Sequence, residues 1–278
     1  MQQLNPFRSH PLAASLVVAW CALSGPVFAQ DTQDKPKLDV IYVPTPQEVV
    51  DRMLEMAQVK STDFVIDLGC GDGRNVVTAA QKFGARGFGV DIDPQRIKEA
   101  KENAEKAGVA DKTDFRVANL FETKISDANV MMMYLLSSIN LKLRPRILDE
   151  MAPGTRIVSH AFDMGDWKAD ERDTVGYRNV YLWIVPAKVE GRWNVKTADG
   201  QTMALDLKQQ FQEVTGTATV GGRATPIRDA KLRGAEVSFV VDLGEGKTTT
   251  FTGRVDGNTM KATDGQGGAK DWQATKAS

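Results

Sequence analysis

The sequence predicts two folded parts: an α/β domain built on a parallel sheet with helices on both faces, then a small antiparallel all-β module. Three observations carry this. Residues 65–77 read as a short apolar run, three glycines at alternate positions (Gly69, Gly71, Gly73), then apolar residues at helical spacing, the pattern of a buried strand, a tight turn and a helix start. A second strand-then-helix pattern follows at 87–108, and consecutive strand–helix units imply a parallel sheet. Beyond Pro186 the character changes: residues 187–278 hold 13 of the 24 glycines and break into short alternating runs separated by turns.

Composition narrows the class. The chain has 278 residues, 42% hydrophobic and 26% charged, as in soluble globular proteins. Net charge is −1, with no basic run, so a nucleic-acid partner is not expected. Arg8 and His10 precede an apolar run at 12–23, with small residues leading to Ala29. This is the layout of a secretory signal peptide, and the run is short for a membrane span. Cleavage after Ala29 would leave Cys70 and His160 as the sole cysteine and histidine. An internal disulfide and a Cys/His zinc site are then excluded, and no metal is expected. The expected organisation is a signal peptide at 1–29, a disordered linker at 30–41, the α/β domain at 42–186 and the β module at 187–278. The mature protein is expected to be periplasmic or secreted, without a stable membrane span.

The elements follow in order. Thr45 is expected as N-cap, with Pro46 at N1 and Glu48 completing a capping box. Val49, Val50, Met53, Leu54 and Ala57 share one face of the helix behind them, which can pack on the domain or close over a bound ligand. The glycine turn then lets a ligand approach the backbone, and the helix behind it offers free N–H donors. Asp67 sits in the strand that leads into this turn. Asp91 ends the second strand, 18 residues after Gly73, where a carboxylate can hold a ribose. Asp93-Pro94 opens the next helix. Residues 115–121 read as the third strand, ending near Asn119; residues 128–134 read as the fourth, with Met131, Met132 and Met133 as core filler. A helix is expected at 141–151, with Lys142, Arg144 and Arg146 on a solvated face. The fifth strand, 155–160, ends in His160, at the sheet edge where open α/β folds place ligands. Asp163 and Trp167 follow as possible pocket residues, and 177–185 alternates as a last strand.

In the β module, Val237, Phe239 and Val241 mark an inward face, and the meander closes into a small barrel or sandwich. Such a module either holds a small ligand or is filled by its own side chains.

The glycine spacing is G-x-G-x-G led by Asp67. It differs from the dinucleotide fingerprint and lacks a phosphate-loop lysine. It resembles motif I of the class I methyltransferases that use S-adenosylmethionine (SAM), whose fold is a Rossmann-like sheet. Within that class, residues 42–167 are similar to a bacterial group related to the mitochondrial lysine methyltransferases of the ATP synthase c-subunit and the adenine nucleotide translocase. The resemblance rests on Pro44-Thr45-Pro46, Asp67 to Arg74, Gly89-Val90-Asp91-Ile92-Asp93-Pro94, Asn119-Leu120-Phe121, Tyr134-Leu135-Leu136, Lys142 to Arg146 and Ser159-His160-x-Phe162.

The resemblance implies a SAM cofactor and a protein substrate with a lysine acceptor. Cofactor-binding positions are then Thr45, Asp67, Gly69, Gly71, Gly73, Asp91 and Asn119. Asn119 stands where the family usually has an acid facing the adenine amino group. Tyr134 and His160 are the catalytic candidates, aligning or deprotonating the amine. The competing expectation is an exported, non-catalytic binding or scaffold protein on a relict methyltransferase fold.

Overall fold

The computed structural model describes residues 42–263 and 268–277. The expected signal peptide and linker lie outside the described residues. Among the described residues no helix is long and apolar enough to cross a membrane.

The α/β domain begins with α1 (Gln47–Met56), then β1 (Phe64–Leu68), α2 (Arg74–Phe83), β2 (Arg86–Asp91), α3 (Pro94–Lys106) and β3 (Thr113–Val117). It continues through β4 (Val130–Met133), α4 (Ser137–Glu150), β5 (Arg156–His160), β6 (Glu171–Val175) and β7 (Arg178–Ile184). The sheet order is β3-β2-β1-β4-β5-β7-β6. Neighbours pair in parallel except where β7 lies antiparallel to β5 and β6.

Side-chain alternation divides the strands between two faces. Val65, Val130, Met132 and Val158 pack under α1 with Val49, Val50, Met53 and Leu54. Ile66, Leu68, Met131, Met133 and Ile157 pack under α4 with Ile139, Leu143 and Ile147. The three consecutive methionines are therefore core on both faces.

Several local expectations need correction. Thr45 is not the N-cap of α1: Pro46 occupies that position with no side-chain cap, and the Thr45 hydroxyl turns toward His160 instead. β3 ends at Val117, because Asn119 folds into a turn in which its Oδ1 accepts from Phe121 N. α4 starts at Ser137, four residues before the expected start. β6, an exposed and highly charged strand, has no counterpart among the expected elements; it pairs with β7 across a Gly176-Tyr177 turn. Charge masks its alternation, and β7 supplies the ladder that holds it.

The β module comprises β8 (Gly191–Lys196), β9 (Thr202–Gln210), β10 (Glu213–Val220), β11 (Arg223–Pro226) and β12 (Arg228–Arg233), then β13 (Glu236–Gly244), β14 (Lys247–Asp256), β15 (Thr259–Ala262) and β16 (Gln273–Lys276). They form one antiparallel sheet, ordered β11-β10-β9-β8-β16-β15-β14-β13-β12. β12 also lies beside β10, and Ile227, between β11 and β12, donates its N–H to Gly216 O at 3.0 Å. The sheet thus curls back on itself as a barrel. Trp193, Phe239, Phe251 and Trp272 are buried inside, so the interior is filled by side chains. Val237, Phe239 and Val241 belong to that core, as the alternation predicts.

Candidate functional site

The loops at the carboxyl ends of β1, β2, β4 and β5 enclose a cleft of about 520 Å³. A larger cleft of about 670 Å³ lies along the β1–β3 face, where no helix connects β3 to β4. Its lining mixes four basic with four acidic side chains, and open α/β sheets bind ligands at their strand ends. The strand-end cleft is therefore the candidate site.

Its floor is the glycine turn. Gly69, Gly71 and Gly73 have φ of +77°, +52° and +77°, in the left-handed region open to glycine. Gly71 has a second constraint: a Cβ there would stand 2.3 Å from the Tyr42 ring. Tyr42 is held over the turn by the Arg96 guanidinium, 4.6 Å from its centroid. Arg74, paired with Asp72, also donates to Thr45 O at 2.7 Å. The stretch before α1 is thereby pinned across the cleft, and Thr45 joins the site through its backbone and its contact with His160.

Asp91 braces the turn. Its Oδ2 accepts from Gly71 N at 2.9 Å and its Oδ1 from Asp93 N at 3.0 Å. Each carboxylate oxygen keeps a lone pair for a ligand hydroxyl. Asp67 is buried, and Asn75 donates to its Oδ2 at 3.0 Å. Burial first, then the nearby Asp91 and Asp72 charges, push its carboxyl up to about 7 against the Asn75 bond. Among the described residues, Asp67 Oδ1 and Asn75 Oδ1 are buried without hydrogen-bond partners. Two orphaned acceptors at one end of an acidic cleft suit a cationic donor such as the ammonium group of SAM. Asn75, an inward-facing polar residue in the first turn of α2, lies in the 65–77 stretch but is not among the expected site residues; its polarity among apolar neighbours is the signal that could have found it. Asn119 lines the opposite end, with its amide spent on Phe121 N and Glu122.

The wall beyond the glycine turn is apolar and aromatic: Tyr134, Leu135, Leu136 and Phe162 line it. Tyr134 stacks on His160 with centroids 3.9 Å apart and on Phe162 at 6.0 Å. His160 lies behind Tyr134 and does not line the cleft. Thr45 Oγ1 is 3.2 Å from its Nδ1. Burial, then the Arg178 charge, lower its pKa to about 4. A neutral, weakly basic imidazole outside the cleft is a support for Tyr134, not the expected acceptor of a proton from an amine. Trp167 is also corrected: it is core, against Trp183 and Phe211. Asp163 turns away to receive Gly165 N. Arg144 and Arg146 are not a merely solvated face; they donate to Met164 O and to Phe121 O and Thr123 O, tying down flanking loops. Phe162 is legible in the sequence only as part of a motif, because its place on the wall depends on the loop after β5.

Comparison with known proteins agrees with this geometry. The ANTKMT methyltransferase domain matches residues 67–171. A protein-lysine N-methyltransferase of Saccharolobus islandicus is 46% identical over 151 residues, covering 52% of this chain and 94% of that protein. The chain belongs to this family of class I SAM-dependent methyltransferases. The ATP synthase c-subunit lysine N-methyltransferase of Xenopus laevis is 27% identical over 171 residues, 62% of this chain and 74% of the relative. A Salinibacter ruber protein described as an RNA methyltransferase, solved with S-adenosylhomocysteine (SAH), is 52% identical and has a TM-score of 0.52. It covers 53% of this chain and 96% of its own. The protein is a SAM-dependent methyltransferase, and the strand-end cleft fits its cofactor.

Proposed function

We propose that the protein is a protein-lysine N-methyltransferase. One observation carries the reading: the cleft joins an acidic cradle at Asp67 and Asp91 to an apolar wall at Tyr134, Leu135, Leu136 and Phe162. A lysine amine attacks only as its free base. An apolar wall favours that form, because desolvation lowers a lysine pKa. SAM, when bound, supplies a methyl group already activated on a sulfonium, so the chain's own task is to hold, orient and exclude water. Gly69 admits the ligand to the backbone, and Gly71 and Gly73 give the turn its left-handed shape. Asp67 and Asn75 present acceptors at one end, and Asp91 offers its free lone pairs to hydroxyls. Tyr134, stacked on His160 and on Phe162, orients the incoming amine. The names of the Saccharolobus and Xenopus relatives support a lysine acceptor. A net charge of −1 weighs against RNA.

The test is methyl transfer from labelled SAM to poly-L-lysine and, in parallel, to an RNA oligonucleotide. Methyl-lysine in the hydrolysate supports the proposal; label in RNA alone refutes it. We also propose export of the mature chain, on the layout of residues 1–29. Mass spectrometry of the native protein tests it: a chain starting at Gln30 supports export, and an intact Met1 overturns it.

A further inference from the structure

Two non-glycine residues beside the acceptor wall sit in the left-handed region: Ala161 at φ +65° and Phe211 at φ +55°. Ala161 joins His160, at the end of β5, to Phe162 on the cleft wall. Phe211 opens the two-residue turn between β9 and β10 of the barrel, where Gln210 pairs with Glu213. Glycine, asparagine or aspartate ordinarily takes such a turn position, and a bulky aromatic there is strained.

The ring of Phe211 explains the placement. It stacks on Trp167 with centroids 5.9 Å apart and planes 18° apart, and the Arg144 guanidinium lies 5.2 Å from its centroid. Arg144 also donates to Met164 O and pairs with Asp166. Beside it, Gln212 donates to Lys168 O at 2.8 Å, and Lys168 pairs with Glu213. Trp167 has no partner for its Nε1 among the described residues, so stacking and packing hold its ring. The loop after β5 is therefore gripped from both sides, by α4 and by the barrel's hairpin tip. At its near end Ser159 Oγ and Asn140 Nδ2 donate to Phe162 O.

We propose that Phe211 is a positioning residue for methyl transfer: through Trp167 and Arg144 the barrel clamps the 161–168 loop and sets Phe162 against Tyr134. The inference rests on the reading of Tyr134 and Phe162 as the acceptor wall. It gives the β module a role in catalysis at a distance from the cofactor.

The test uses the full chain and two variants. Phe211→Gly removes the ring while relieving the backbone, and Phe211→Tyr keeps the ring. With SAH bound, Phe211→Gly should raise amide exchange in 161–168 by about tenfold or more and leave β8 and β10 unchanged, while Phe211→Tyr should exchange as wild type. On poly-L-lysine kcat should fall by about tenfold or more in Phe211→Gly, with KM for SAM and Kd for SAH within about threefold of wild type. Unchanged exchange in the loop overturns the clamp, as does a parallel loss of SAH affinity, which marks general destabilisation. Should Phe211→Gly not fold, Phe211→Leu, which keeps apolar bulk without the stack, takes its place. A wild-type enzyme inactive on poly-L-lysine would count against the lysine acceptor alone, and the exchange comparison would still decide the clamp.

Discussion

Asp67 is the residue whose behaviour follows most directly from the structure. Its carboxyl is buried, has one oxygen without a partner among the described residues, and is pushed up to about 7 by burial. A cationic ligand group placed against it favours the ionised form, so its pKa falls on binding. Below pH 7 the free protein carries the proton, and binding must release it. The sign is then fixed: affinity weakens as pH falls through 7, approaching tenfold per pH unit. From pH 7.5 to 5.5 a group titrating at about 7 weakens binding by more than tenfold, or about 2 kcal/mol. His160, near 4, and the Cys70 thiol, raised well above its ordinary value by burial, are silent across this range. Calorimetric titration with SAH at both pH values measures the change, and buffers of different ionisation enthalpy count the released proton. Asp67→Asn should flatten the profile. The same shift acts on the unliganded fold with the opposite emphasis. The native state holds the proton more tightly than the unfolded chain, so the ionised carboxylate opposes folding above about pH 7, and this opposition fades as pH falls toward 3.8. At pH 8, Asp67→Asn should stabilise the unliganded protein by up to about 4 kcal/mol in urea melts. An SAH affinity that changes less than about threefold over the two pH values would refute the reasoning.

Other outcomes follow from named contacts. Asp91→Ala removes the acceptor for Gly71 N and Asp93 N as well as the ligand's, and should weaken SAH by about 100-fold in calorimetry. Gly73→Ala puts a Cβ 2.8 Å from Ala100 Cβ and the Phe115 ring at φ +77°, and should cost about 2–4 kcal/mol by urea unfolding. Because His160 is neutral above about pH 4, His160→Gln should lower the rate on poly-L-lysine by loosening Tyr134 without changing the shape of the pH–rate profile between about 5.5 and 8. A lost inflection in that window would restore His160 as a proton acceptor.

Local chemistry makes the cofactor end legible in the sequence. Alternating glycines, an acid in the strand before them and an acid closing the next strand are all short-range features; Gly69, Asp67 and Asp91 line the cleft, while Gly71 lies under Tyr42 and Gly73 packs on Ala100 and Phe115. The acceptor end is less legible. Trp167 and Asp163 carry the residue types of a pocket, yet Trp167 belongs to the core because Trp183 and Phe211 reach it from positions 16 and 44 residues later. Phe162 reaches the wall through a left-handed Ala161, which no sequence pattern announces.

The parallel sheet, the glycine turn, the acids Asp67 and Asp91 beside it, and the inward faces of the barrel are all written in the order of the residues. Periodicity, turn chemistry and burial act within a few residues, and they leave their mark along the chain. Folding in three dimensions was needed to turn Thr45 toward His160, to stand His160 behind Tyr134, and to rest Phe211 of the barrel on Trp167. Those contacts join residues 115, 26 and 44 positions apart. They exist because strands distant in sequence share one sheet edge, and because a closed barrel presents one hairpin to a neighbouring loop.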